Sequence, residues 1–301
     1  MRDVAEPHAE WMLVMDKVTL HHARKLRGFF AQYVATAGAA KDRRIGEAFA
    51  SVPREPFAGP GPWSIMVVGG STAKYIRTPD DDPAFLYQDV LVALDESRGI
   101  NIGQPSLHAR CLDALAPQTG ETILQVGAGS GYYTAILAHL VGSGGRVHGY
   151  EIITELACRA ETNLSPWPWA SIHAQSGALE DLPSADAIYV NAGITQPNWA
   201  WLEALRPGGR LLFPLQAVRG FGGMLLTQKP ANGGFAWPAK FVTRAGFIAC
   251  EARQDEATGR ALSAAFASGG WEAVTTLRFD DKQDNTCWFN GGDWWLSTSQ
   301  G

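Results

Sequence analysis

The stretch "TILQVGAGSGYYTAILAHLV", Thr122 to Val141, decides how the chain is read. A short apolar run ends in glycines at every second position, Gly127, Gly129 and Gly131. A helix-like apolar pattern follows from Tyr132 to Val141. Glycine lets a backbone bend sharply and lets a ligand approach with no Cβ in the way. A helix starting just beyond the bend offers unpaired N–H groups to an anion. The dinucleotide fingerprint G-x-G-x-x-G does not fit, because Tyr132 stands where its third glycine belongs.

Outward from this bend, "RVHGYEI" predicts the next strand, and Glu151 falls at its tip. That is the distance expected of the acid that grips both ribose hydroxyls of a nucleotide. Strand, glycine loop, helix, strand and acid together point to an adenosyl nucleotide. The G-x-G-x-G spacing is the one associated with S-adenosylmethionine. Gln125 holds the place before the first glycine where such loops usually carry an acid. An acid there meets the cofactor's amino end, directly or through water. Glutamine keeps one acceptor oxygen and loses the charge, so a weaker grip is expected.

The alternation of strand and helix continues on both sides. Helices are predicted over Thr154–Asn163 and "QPNWAWLEAL", and strands over "SIHAQ", "AIYVNAG" and "RLLFPL", with a turn at Pro207-Gly208-Gly209. The pattern predicts an α/β fold: a Rossmann-like, doubly wound, mostly parallel sheet with helices on both faces. Residues 100–235 form this unit. Residues 1–99 read as a helical and loop segment packed on it, with Val18, Leu26, Phe29, Phe30, Tyr33 and Val34 near one helix face and Asp42 capping a second helix. Residues 236–301 read as a small α+β extension. There "AKFVTRAGFIACEA" suggests a pair of strands, Leu262 and Phe266 the inner face of a helix, and "CWFNGGDWWLST" a hairpin. Its tryptophans read as packing rather than a substrate wall.

Composition limits the partners. The 301 residues are 46% hydrophobic and 18% charged, with a formal net charge of -5. A globular chain follows, and a broad basic footprint for nucleic acid or anionic membrane does not. The four cysteines, Cys111, Cys158, Cys250 and Cys287, are far apart, which fits neither a disulfide framework nor a zinc cage. The acidic run in "PDDDP" reads as a solvated loop, and no metal is expected. No run is apolar enough to span a bilayer, and the first residues lack a signal-peptide pattern, so a cytoplasmic location is expected.

The segment from about Val52 to Cys250 resembles the protein-L-isoaspartate O-methyltransferase family. The pieces that carry the resemblance are "VPREPF", "INIGQPSLHARCLDALAPQTGETILQVGAGSGYYTAILAHLVG", "GRVHGYEI", "DAIYVNAG" and "LRPGGRLLFPL", in the family's order. The resemblance implies transfer of a methyl group from S-adenosylmethionine to a carboxylate, typically an isoaspartyl group in a protein or peptide, leaving S-adenosylhomocysteine. Such chemistry requires no base, since a carboxylate is ionised at neutral pH.

The expected site follows from both lines. Asn101, Gly103 and Gln104 lie at the reacting end. Gly103 replaces the family's usual serine, which leaves room there for a bulkier acceptor. The cofactor is assigned to His108, Gln125, Gly127, Gly129, Gly131, Tyr132, Glu151, Ile152, Ser176, Gly177 and Asn191, with Ser176 standing for a family aspartate. His108 is read equally well as a surface histidine of its helix. Arg54 reads as a structural cation. Two other readings use the same fold: a small-molecule or biosynthetic peptide acid as acceptor, and a cofactor-binding protein without catalysis.

Overall fold

The computed structural model of the protein describes residues 17–67, 74–179, 181–217, 220–250 and 254–300. Three helices open it: α1 (Lys17–Ala37), α2 (Arg43–Ser51) and α3 (Glu55–Ala58). Asp42 caps α2 by accepting a hydrogen bond from the Arg44 N–H. A four-stranded sheet follows, built of β1 (Ser64–Val67), β2 (Ile76–Arg77), β3 (Val90–Asp95) and β4 (Ile100–Asn101) in the order β2-β1-β3-β4.

The main sheet begins after α4 (Pro105–Leu115). Its parallel half contains β5 (Thr122–Val126), β6 (Arg146–Tyr150), β7 (Ala170–His173), β8 (Ala185–Val190) and β9 (Leu205–Leu215). The helices between them are α5 (Tyr132–Val141), α6 (Thr154–Asn163) and α7 (Trp199–Ala204). The antiparallel half adds β10 (Gly222–Gln228), β11 (Ala236–Ala245), α8 (Glu256–Ser268), β12 (Thr276–Arg278), β13 (Cys287–Asn290) and β14 (Trp295–Ser297). All ten strands form one sheet in the order β13-β14-β12-β11-β10-β9-β8-β5-β6-β7.

Side chains alternate across a strand, so a sheet covered on both faces feeds two cores. Ile123, Tyr189 and Leu212 pack with α1, α2, α4 and α5 through Phe30, Phe49, Leu112 and Ile136. Their neighbours Leu124, Ile188 and Phe213 pack on the other face with Trp201, Leu262 and Phe266. The tail therefore extends the second core. Trp294 is buried within it, and Trp295 is buried beside it under the Arg278 guanidinium, as their expected packing role requires.

Four local expectations change. Residues 1–99 are not only helix and loop, because Ser64–Val67, Ile76–Arg77 and Val90–Asp95 pair within the four-stranded sheet. On α1 the buried residues are Ala23, Phe30, Ala31 and Val34, while Phe29 and Tyr33 are exposed and Leu26 is half-buried. The inner stripe is narrower than its apolar content suggests; the Val18 side chain lies outside the described residues. Pro207-Gly208-Gly209 does not end the chain's run: it sits inside β9, where Gly208 and Gly209 exchange backbone hydrogen bonds with Lys229. "AKFVTRAGFIACEA" gives the single strand β11. Residues 246–248 then leave it, and the chain meets Gly193 through one bridge at Ala249.

Arg54 is fully buried and its guanidinium donates to the carbonyls of Leu86, Gln88 and Val90. It also lies over the Phe30 and Tyr132 rings. The buried cation thus fastens the chain leading into β3 against α1 and α5, a structural duty.

Candidate active site

A cavity of about 550 Å³ opens at the carboxyl ends of β5, β6 and β8. In an open α/β sheet this is where ligands bind. Its walls come from the glycine loop, the tip of β6, the end of β8, the arm from Ile100 to His108, and the segment from Arg244 to Cys250.

At the glycine-loop end the backbone sets the shape. Gly131 caps α5 at φ 91°, and a Cβ there would stand 3.2 Å from the Ala160 side chain. A side chain at this position is excluded by both backbone and neighbour. Glu151 is buried beside the loop. Its Oε2 accepts from the Gly129 N–H at 2.7 Å and its Oε1 from the Ile153 N–H at 3.0 Å. A carboxylate offers about four lone-pair sites. Each oxygen therefore keeps capacity for a further donor while the backbone bonds fix its direction. Asn191 stands opposite, its buried Oδ1 without a partner among the described residues.

Gly127, Gly129, Tyr132, Ile152, Ser176 and Gly177 also line the cavity, and half of Ile152 is exposed. The Ser176 Oγ accepts from the Ala178 N–H. A Cβ on Gly177 would meet Tyr150 at 2.8 Å and Val126 at 2.9 Å, so close packing demands glycine there.

Gln125 requires a correction. It is fully buried within β5 and lies outside the cavity wall. Its Oε1 accepts from the Thr134 hydroxyl at 2.7 Å, and its Nε2 has no partner among the described residues. It braces the strand against α5 from beneath the loop. Strand alternation explains this: the side chain two residues before the bend points into the packed layer rather than past the strand end.

At the other end side chains fill the space. Asn101 uses its polar atoms within the arm: Oδ1 accepts from the Gly103 N–H, while Nδ2 donates to Gly99 and to the Tyr75 hydroxyl. Gln104 donates to Asp89, which also accepts from the Ser106 N–H and hydroxyl and so fastens the start of α4.

His108 is not a surface residue. It is buried, stacks on Tyr133 with ring centroids 3.5 Å apart, and has its Nδ1 2.7 Å from the Tyr189 hydroxyl. Burial, with a contribution from the Arg54 charge, pushes its pKa down to about 3, so the ring is neutral at pH 7. Gly103 is also corrected. At φ 87°, a Cβ on it would stand 2.4 Å from the His108 Nε2. The space expected to admit a bulkier acceptor already holds the imidazole.

The sequence reading missed Tyr133, Tyr189, Phe247 and Arg244. Tyr189 had one available signal, standing two residues before Asn191 on the same strand face. Phe247 and Arg244 come from the distant β11 end and carry no local motif. Arg244 donates through Nε to the Gly222 carbonyl and lies over the Phe266 ring. It is the one Lys or Arg among the described residues of the cavity wall. No group of three or more His, Cys, Asp or Glu suited to a metal occurs among the described residues.

Known proteins resemble this chain in sequence and in fold. Residues 73–251 match the model of the family described as Protein-L-isoaspartate(D-aspartate) O-methyltransferase. The Aeropyrum pernix protein-L-isoaspartate O-methyltransferase is 32% identical over 198 residues, 64% of this chain and 67% of the relative. The Methanopyrus kandleri enzyme of the same name is 30% identical over 197 residues, 64% of this chain and 77% of the relative. A solved protein-L-isoaspartate O-methyltransferase shares the fold at a TM-score of 0.58 and 19% identity, over 80% of this chain and 69% of that one. A Plasmodium falciparum structure in complex with S-adenosyl-L-homocysteine does so at 0.57 and 18% identity, over 74% of this chain and 97% of that one. With 59% of its length inside the family's match, carrying the glycine loop and Glu151, the chain belongs to the protein-L-isoaspartate(D-aspartate) O-methyltransferase family.

Proposed function

We propose that the protein is an S-adenosylmethionine-dependent O-methyltransferase acting on a carboxylate, with an isoaspartyl group of a protein or peptide as acceptor. The observation that carries this reading is the single cavity joining the glycine loop and Glu151 to the arm that ends in Gly103, Gln104 and His108.

The residues fit the cofactor. Gly127 and Gly129 leave main chain on the cavity wall with no side chain in the way, and the free capacity of Glu151 suits a pair of hydroxyl donors. The unpartnered Asn191 Oδ1 offers a further acceptor. Gly127, Gly129, Glu151, Ile152, Ser176, Gly177 and Asn191 are assigned to hold it, whereas Gly131, expected there from its spacing, lies outside the cavity wall and closes the loop on Ala160. When bound, the cofactor supplies a methyl group on a sulfonium that a carboxylate oxygen can take directly.

The protein's own work is then alignment and exclusion of water, which can supply on the order of 7–11 kcal/mol. Apolar walls from Leu91, Leu107 and Phe247 keep the acceptor end dry, while Leu94 lies against Gly129 at the other end. An acceptor carboxylate is already ionised at pH 7, so neutral His108 is not needed as a base.

Incubation with methyl-labelled S-adenosylmethionine and an isoaspartyl peptide tests the reading. A base-labile methyl ester on that peptide is expected, with none on its aspartyl counterpart. Labelling of neither peptide would remove the isoaspartyl assignment.

A further inference from the structure

The main sheet ends in β7, whose register sets Ser171 beside His148 and His173 beside Tyr150 on β6. Alternation puts these four side chains on one face. Tyr150 stacks on His173 with ring centroids 4.8 Å apart, which fixes that imidazole. The His173 Nε2 then stands 3.2 Å from the His148 Nδ1. The Ser171 hydroxyl lies 3.1 Å from the His148 Nδ1 and 3.4 Å from the His173 Nε2. Two nitrogens and one oxygen thus make a nearly equilateral triangle. None of these three residues lines the cavity. Ser171 is exposed and both histidines are half-buried, so solvent reaches the group.

Hydrogen bonding does not use up this triangle. A neutral imidazole nitrogen either donates one N–H or accepts on one lone pair. The His148 Nδ1 faces two partners and can serve one of them well. A single ion bound to all three atoms satisfies every one. Bonds of about 2.0–2.1 Å in a tetrahedral zinc site place neighbouring ligand atoms about 3.3–3.4 Å apart, close to the spacing seen here. Burial, the neighbouring His173 and the Arg146 charge push the His148 pKa down, so the ring is neutral at pH 7. Neutral imidazole is the form that binds a metal. Arg146, two residues earlier on β6, turns its guanidinium to the Gly145 carbonyl at 2.7 Å. Its charge opposes any cation, so an ion must be held by direct bonds to nitrogen. Imidazole suits zinc, copper and nickel, whereas magnesium and calcium require oxygen ligands.

We propose that His148 Nδ1, His173 Nε2 and the Ser171 hydroxyl form a site for a divalent transition-metal ion of the zinc class, with water completing the shell. Coordination leaves the ring protons on the outer nitrogens, Nε2 of His148 and Nδ1 of His173. The ion clasps the edge strand β7 to β6. The clasp lies beside Glu151, whose N–H donates to the His173 carbonyl at 3.1 Å. With no thiolate or carboxylate among its ligands, the site binds more weakly than a four-ligand zinc cage. It stands independently of the cofactor and of the methyl acceptor.

Titration calorimetry of the full chain with Zn²⁺ at pH 7, in a buffer that does not chelate the ion, tests the site. One Zn²⁺ per chain is expected, and no binding of Mg²⁺. His148→Ala and His173→Ala, each checked for an unchanged fold by circular dichroism, should weaken Zn²⁺ at least tenfold, since even the outer partners of metal ligands are worth about 10–100-fold. Ser171→Ala should weaken it less. A second measurement uses the wild type alone and so does not depend on the variants folding. In protein labelled with ¹⁵N-histidine, Zn²⁺ is expected to shift the His148 Nδ1 and His173 Nε2 signals and to leave those of His108 in place. Absence of Zn²⁺ binding would overturn the site. So would binding that survives both histidine substitutions, or Zn²⁺ shifts confined to other histidines. Each of these results would leave the two rings as a hydrogen-bonded pair.

Discussion

At one end of the cavity backbone makes the surface, and at the other side chains do. The glycine-loop end consists of bent main chain whose amides are held by the Glu151 carboxylate. The Gly103 end consists of packed rings, His108 on Tyr133 with Phe247 against them, propped by bonds from inside the core. Both ends contain glycines at positive φ, for different reasons. Gly131 lacks a Cβ so that the loop can close on Ala160, whereas Gly103 lacks one so that another residue's ring can occupy its place. A surface made of main chain tolerates no side chain but asks little of its neighbours. A surface made of packed rings depends on each neighbour, so substitutions there should be coupled.

The largest effect expected from this contrast is at Glu151. Glu151→Ala removes the acceptor for two backbone amides as well as the two proposed ribose contacts. Each charge-assisted bond contributes about 1.5–3 kcal/mol. Affinity for S-adenosylmethionine should fall tenfold or more in titration calorimetry, since about 1.4 kcal/mol is a factor of ten. An unchanged dissociation constant would remove Glu151 from the nucleotide end.

Next is Gly103→Ser. A side chain in left-handed backbone costs roughly 1–2 kcal/mol before any clash is counted. The added Cβ also collides with His108. Lower stability in urea and a weaker peptide KM are expected together. In combination with His108→Ala, the loss should be smaller than the sum of the single changes, because the steric part disappears. Additive losses would show that the two positions are independent and that the ends do not differ in the way described.

The smallest effect on binding is expected from Gln125→Glu. Because Gln125 lies outside the cavity wall, cofactor affinity should change by less than about threefold, well under the factor of ten that 1.4 kcal/mol represents. Stability should change instead. A fully buried carboxyl with one hydroxyl partner has its folded-state pKa raised above its unfolded value. The variant should match the wild type best below the unfolded pKa, about 4.3, and fall behind as pH rises toward the folded value. Melting curves at several pH values check this. A tighter cofactor site would restore Gln125 to the site.

The glycine loop was legible because its signal is local. Spacing, the preceding apolar run and the acid at the next strand tip fit within thirty residues, from Thr122 to Glu151. The strand–helix alternation was legible for the same reason, and the helices Tyr132–Val141 and Thr154–Asn163 stand where their periodicity puts them. Gln125 was misplaced because a spacing gives the distance along the chain but not which way a strand residue faces once the sheet is packed.

The order of residues by itself thus determined the α/β fold, the glycine loop and the acid at the tip of the next strand, since each rests on contacts close in sequence. It did not determine the other end of the cavity. Tyr189 lies 81 residues from His108, and Phe247 comes from beyond β11, on the far side of the parallel strands. Only packing α4 across the sheet brings these groups together. Whether the place beside Gly103 is empty or filled depends on a ring arriving from elsewhere in the fold, and no local pattern records that.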